Sequence, residues 1–183
     1  MVMAGLFIAV AGLSMPLLTT VRHQQHVASA ARYLTGRIML ARADAARSGA
    51  TVGLRFATRD GQVFFRSYRD GDGDGVRTAD IGAGVDLPVG EETAIGDLFE
   101  GVRFALGAAV PPVGSTGPAG ADADPVRFGS SDILSVTPLG TASSGTLYLR
   151  SREGHQVAIR VLGGTARVQH HAFDYTAGRW RIR

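Results

Sequence analysis

Cysteine and lysine are both missing from the 183 residues. Without cysteine there is no disulfide framework, no thiolate nucleophile and no cysteine-based zinc site. That composition is compatible with an oxidising compartment and does not by itself indicate one. Catalytic motifs are scarce too. No serine sits in a GxSxG elbow, and neither a phosphate-binding loop nor a metalloprotease helix can be found, so no enzymatic activity and no small-molecule substrate are expected. What remains is 45% hydrophobic residues and 25 glycines, the composition of one loop-rich globular domain with an appendage.

All 19 basic residues are arginine, and the net charge is +3. The charge is unevenly spread. Residues 1–48 carry five arginines against Asp44, and residues 145–183 carry seven against Glu153 and Asp174; the 96 residues between hold thirteen acids and seven arginines. Basic ends around an acidic middle can guide docking to a membrane, a partner subunit or nucleic acid.

Met1–Leu18 contains no charge and ends near Pro16. A helix crossing a bilayer takes about 20 apolar residues, so this run is just long enough. It lacks the basic start and small-residue cleavage site of a secretory signal. After Thr19–His26, the residues Val27, Ala31, Leu34, Ile38, Ala41 and Ala45 recur at steps of four and three. That spacing predicts an apolar stripe on one helical face, with Ser48-Gly49 as its stop. The expectation is a long N-terminal helix: a hydrophobic membrane and assembly segment over 1–20, a bend at Pro16, and an amphipathic continuation over 21–48.

The rest, 49–183, reads as a β-rich head. Thr51–Ala57 and Gln62–Tyr68 are strand candidates joined by a turn at Arg59-Asp60-Gly61. Ile133–Thr137, Gly145–Ser151, Gln156–Leu162 and Ala166–His170 follow, with Leu147 and Leu149, then Val157, Ile159 and Val161, alternating with polar or small residues. Alternation of this kind marks an antiparallel sheet with one buried face. The predicted fold class is α+β, the long helix packed on an antiparallel sheet. Residues 82–125 show no regular pattern and read as a long, mobile insertion.

Two segments carry candidate chemistry. Asp70, Asp72 and Asp74 alternate with glycine and are followed by Gly75, a spacing that curls a backbone around a hard cation, with the Val76 carbonyl as a further ligand. The usual closing glutamate is replaced by Ile81, and Asp80 falls one residue early. Calcium is the expected ion if the turn binds one; a solvated acidic turn is the other reading. The tail Arg179-Trp180-Arg181-Ile182-Arg183 alternates arginine with apolar residues. In a strand, the arginines share one side and could pair with DNA phosphates while Trp180 stacks on a base. A terminal strand whose Trp180 caps the core explains the pattern equally well. His170-His171 point to opposite faces of a strand, and His23 and His26 have no carboxylate nearby, so neither pair is expected to hold a metal.

The apolar run with Pro16 near its end, the amphipathic stripe, and AARSGA leading into TVGLRF, DGQVFF, an acidic turn and SVTPLGTASSGTLYL resemble type IV prepilins. Within them the order is similar to the GspH/FimT group of minor pilins and pseudopilins. The resemblance implies a filament subunit of a type II secretion system or type IV pilus, acting in initiation or assembly through its N-terminal helix. It implies a single pass through the inner membrane, a head in the periplasm, and as partners other pilin subunits, the inner-membrane assembly machinery and membrane lipid. Such families begin with a leader ending in glycine and a Phe-Thr-Leu-Ile-Glu-like stretch, expected to lie upstream of Met1. The tail also matches the glycine-arginine-any-arginine pattern of the DNA-binding competence pilins of this group, which makes a DNA-binding minor pilin the alternative, and a calcium-binding surface protein a further one.

Overall fold

A computed structural model describes residues 25–183 of the chain. Its main helix, α1, occupies 25–48. Val27, Ala31, Leu34, Ile38, Ala41 and Ala45, the expected stripe, are all buried, together with Ala30. The helix stops where the sequence places its breaker. Gly49 takes a left-handed φ of 69° and its N–H donates to the Ala45 carbonyl at 3.0 Å, closing the last turn.

Ten strands, two short α-helices and one 3-10 turn follow in the order β1 (Val52–Arg59), β2 (Gln62–Arg69), α2 (Thr78–Ala83), β3 (Leu87–Ala94), α3 (Ile95–Leu98), β4 (Val102–Phe104), β5 (Val126–Phe128), β6 (Ile133–Val136), β7 (Gly145–Ser151), β8 (Gln156–Leu162), the 3-10 turn (Gly163–Thr165), β9 (Arg167–Asp174) and β10 (Arg179–Ile182). They form two sheets, each wholly antiparallel. One has the order β3-β2-β1-β6; the other runs β10-β9-β8-β7-β4, with β5 also pairing with β7. The β1–β2 hairpin turns on Asp60-Gly61, both at positive φ, between the paired residues Arg59 and Gln62. An Asp-Gly pair satisfies that geometry at little steric cost.

This corrects the expected fold class. The chain is mostly β, with one main helix packed on two antiparallel sheets, and no long N-terminal helix is shown. The membrane segment expected over 1–20 lies outside the described residues. Among the described residues no helix is long and apolar enough to cross a membrane. The strand content exceeds the expectation because several strands do not alternate. β3 is an edge strand with mostly exposed side chains, and β4 and β5 are three residues each, too short for a period to appear.

The segment 82–125, read as an irregular insertion, therefore contains β3, α3 and β4. The remainder covers the outer face of the second sheet, where Leu106 and Val110 are buried with Tyr148 and Ala158, and Val113, Ala119 and Ala123 pack beside Phe173 and Trp180. The second sheet is thus buried on both faces. Its inner face, with Leu147, Leu149, Ile159 and Val161, meets α1, Leu54, Phe56 and Phe65 in the main core. Each such side chain is worth about 1.5–3 kcal/mol by burial. Where β5 crosses β7 the backbones approach so closely that a Cβ on Gly145 would lie 2.2 Å from the Arg127 carbonyl oxygen; only glycine fits there.

Candidate functional sites

The acidic turn leaves the end of β2 and is anchored at three points. Asp70 is buried, and its Oδ1 accepts the N–H groups of Asp72 and Gly73 at 3.3 and 2.7 Å while its Oδ2 accepts that of Gly75 at 2.9 Å. Gly75 sits at a φ of 95°. Val76 is buried directly over Gly53 of β1, where a Cβ would come within 2.7 Å of the valine side chain. The third anchor is Asp86. It is fully buried, its Oδ1 accepting the Gly71 N–H at 3.2 Å and its Oδ2 the Arg77 N–H at 2.9 Å. One carboxylate thereby ties together both ends of the turn. Sequence reasoning missed Asp86 because it stands outside the cation-loop spacing, at the start of a segment without periodicity.

Of the five residues expected to hold calcium, the fold brings three together. The carboxylates of Asp70, Asp72 and Asp74 place one oxygen each within 4.8 Å of one another. Val76 follows with its side chain turned into the core, and Asp80 lies in α2 outside this group. Asp74 also pairs with Arg77. Loss of solvation in the turn holds the Asp74 carboxyl above the usual carboxylate range, the Arg77 charge opposes this, and repulsion from Asp72 and Asp80 adds to it. A divalent cation would relieve that repulsion.

The C-terminal residues form β10, an edge strand on β9. Arg179 and Arg181 are exposed, and so is Ile182, the second apolar residue of the pattern, while Trp180 points into the layer under 105–124. Its ring lies 5.2 Å from Phe173 and 5.9 Å from Tyr148, centroid to centroid, and its Nε1–H donates to the Pro111 carbonyl at 2.7 Å. In this arrangement Trp180 caps a core and its indole is occupied by protein. Arg181 pairs with Asp174 at 2.7 Å, and Asp174 also accepts the N–H groups of Ala177 and Thr176. The Ala177 hydrogen bond first, and then the neighbouring arginines and Thr176, hold that carboxyl below its ordinary value despite some loss of solvation. Arg179 and Arg183 are exposed.

His170 and His171 point to opposite faces of β9, as adjacent strand residues must. His170 faces α1, where its Nε2 lies 2.8 Å from Thr35 Oγ1. The Thr35 hydroxyl also lies 3.0 Å from the Ala31 carbonyl, to which it can donate. His171 lies on the outer face, buried, with Nε2 unpartnered among the described residues. Burial lowers the pKa of both; the nearby arginines, Arg32 for His170 and Arg160 for His171, push the same way.

Two cavities accompany these features. A broad one of about 710 Å³ lies between the 105–124 segment and β5 and β7, with charges of both signs (Asp122, Asp124, Arg127) on its walls. A smaller one of about 180 Å³ lies between α1 and the β8–β9 end of the second sheet. No protein-family model, curated protein or solved structure matches this chain.

Proposed function

We propose that the chain is a minor subunit of a helical filament of the type IV pilus or type II secretion kind, acting in filament initiation or assembly through α1. The observation that carries this reading is the two-sidedness of the helix. One face is sealed into the head. The other leaves Met39 and Leu40 exposed by 40% and 56%, beside Gly36, where an added Cβ would meet nothing within 4 Å. Residues three and four apart share a helix face, and a small residue beside apolar ones lets a neighbouring helix approach closely. The apolar run Met1–Leu18 supports attachment to the inner membrane, with the head in the periplasm. The partners are then other subunits, the assembly machinery and lipid, and the chain catalyses no reaction.

Because cysteine is absent, Leu40→Cys supplies a unique thiol for a photoactivatable cross-linker. In purified filaments it should join this chain to a neighbouring subunit, whereas the same label at Leu139, on the exposed β6–β7 turn, should do so far less. Equal cross-linking from both positions, or none from position 40, would sink the reading.

The convergence of Asp70, Asp72 and Asp74 favours a second property, a bound calcium ion in the acidic turn. Chelation should then lower the melting temperature of the wild type and leave Asp72→Ala unchanged. A wild-type melting temperature indifferent to chelator and to added calcium rules it out.

A further inference from the structure

The smaller cavity is lined by Arg32 from α1, His170 from β9 and Arg183 after β10, over a floor that includes Ala31, Val157 and Ala172. No carboxylate side chain is among its lining groups. The tertiary structure alone assembles it, because Arg32 and Arg183 stand at opposite ends of the described chain. Arg183 is held at the cavity by its N–H, which donates to the His170 carbonyl at 3.0 Å. His170 is held by Thr35. Among the described residues neither Arg32 nor Arg183 forms an ion pair; Arg32 donates only to the neutral hydroxyl of Ser29, at 2.9 Å.

We propose that this cavity binds a phosphate-bearing anion, held between the guanidinium groups of Arg32 and Arg183 with the His170 imidazole beside it. Three arguments support it. Two arginines line one cavity with no carboxylate side chain on its walls to pair with them, and guanidinium forks match phosphate oxygens in pairs. The floor of Ala31, Val157 and Ala172 offers no side-chain group that would compete with an anion for the two guanidinium groups. Finally, about 180 Å³ falls below the roughly 300–1,000 Å³ of pockets for drug-sized ligands, but suits one phosphate group with a short substituent. That phosphate can come from a lipid headgroup or from a soluble phosphate. The inference stands apart from the filament reading and does not need it.

The test uses the full chain in maltoside micelles, which contribute no phosphate, with the His170 ring carbon–proton signal followed by NMR at constant ionic strength. Inorganic phosphate and a short-chain phosphatidylglycerol are titrated separately. A saturable shift of the His170 signal is expected. Arg32→Gln and Arg183→Gln should each weaken binding roughly tenfold, as the loss of a charge-assisted hydrogen bond does. Arg42→Gln, a control on the exposed side of the same helix, should bind as wild type. If phosphatidylglycerol binds at least tenfold more tightly than phosphate, the source is lipid; if it does not, the source is a soluble phosphate. A signal unmoved by both titrants overturns the proposal. So does a shift that never saturates, or a loss in Arg42→Gln equal to that in Arg32→Gln.

Discussion

Removing the Asp86 carboxylate should unfasten the acidic turn from the first sheet. The side chain is fully buried, and each of its oxygens accepts one backbone N–H, from Gly71 at 3.2 Å and Arg77 at 2.9 Å. Asp86→Ala leaves two donors without partners. A hydrogen bond to a charged acceptor contributes about 1.5–3 kcal/mol, and the longer Gly71 bond belongs at the low end. Partial access of water to the turn reduces the sum, so a loss of about 3 kcal/mol is expected. For a chain of this length each kcal/mol moves the melting temperature by about 2–4 °C, which gives a drop of roughly 6–12 °C. Asp86→Asn keeps one oxygen acceptor and the side-chain volume and should lose about half as much. Urea denaturation followed by circular dichroism measures both, with chelator present so that ion binding does not contribute. If Asp86→Ala stays within about 0.5 kcal/mol of wild type, the turn is not held by this carboxylate and the reasoning fails.

Gly145→Ala forces a Cβ to within 2.2 Å of the Arg127 carbonyl, so β5 must part from β7; a loss of at least about 3 kcal/mol is expected, and hydrogen exchange should report it first at Val126–Phe128. Trp180→Ala should cost about 3 kcal/mol, since it opens the layer between Phe173, Tyr148 and the 105–124 segment and leaves the Pro111 carbonyl without its donor; limited proteolysis should then cut within 105–124. His170 and His171 have folded pKa values below the ordinary 6.5, so their contribution is intact above about pH 6.5 and is lost as pH falls through the folded values. Melting temperature should therefore decline on acidification from pH 7 to 5, and His171→Gln, which cannot take up a proton there, should flatten part of that slope.

Much of the scaffold was legible in the sequence. The stripe from Val27 to Ala45 named the buried face of α1 because a helix face recurs every three to four residues whatever it packs against. β7 and β8 were read with the bounds they have, because their inner residues alternate as a half-buried strand requires. The acidic turn was recognised by its spacing. Other features were not legible. Residues 105–124 bury Leu106 and Val110 without forming a helix or strand, so no period marks them. Trp180 had two readings because alternation places it on a face without saying whether anything covers that face.

The sequence by itself determined which residues turn inward along α1, β7 and β8, and where the chain must bend, at Asp60-Gly61 and Gly49. Those are local matters of period and backbone sterics. Only the tertiary structure decided that the second sheet is covered on both sides, that Asp86 fastens a turn begun sixteen residues earlier, and that Arg32 and Arg183 share a cavity. The reason is that such contacts join segments far apart in the chain, and their free energy comes from surface and polar groups that meet only after the sheets have packed on the helix.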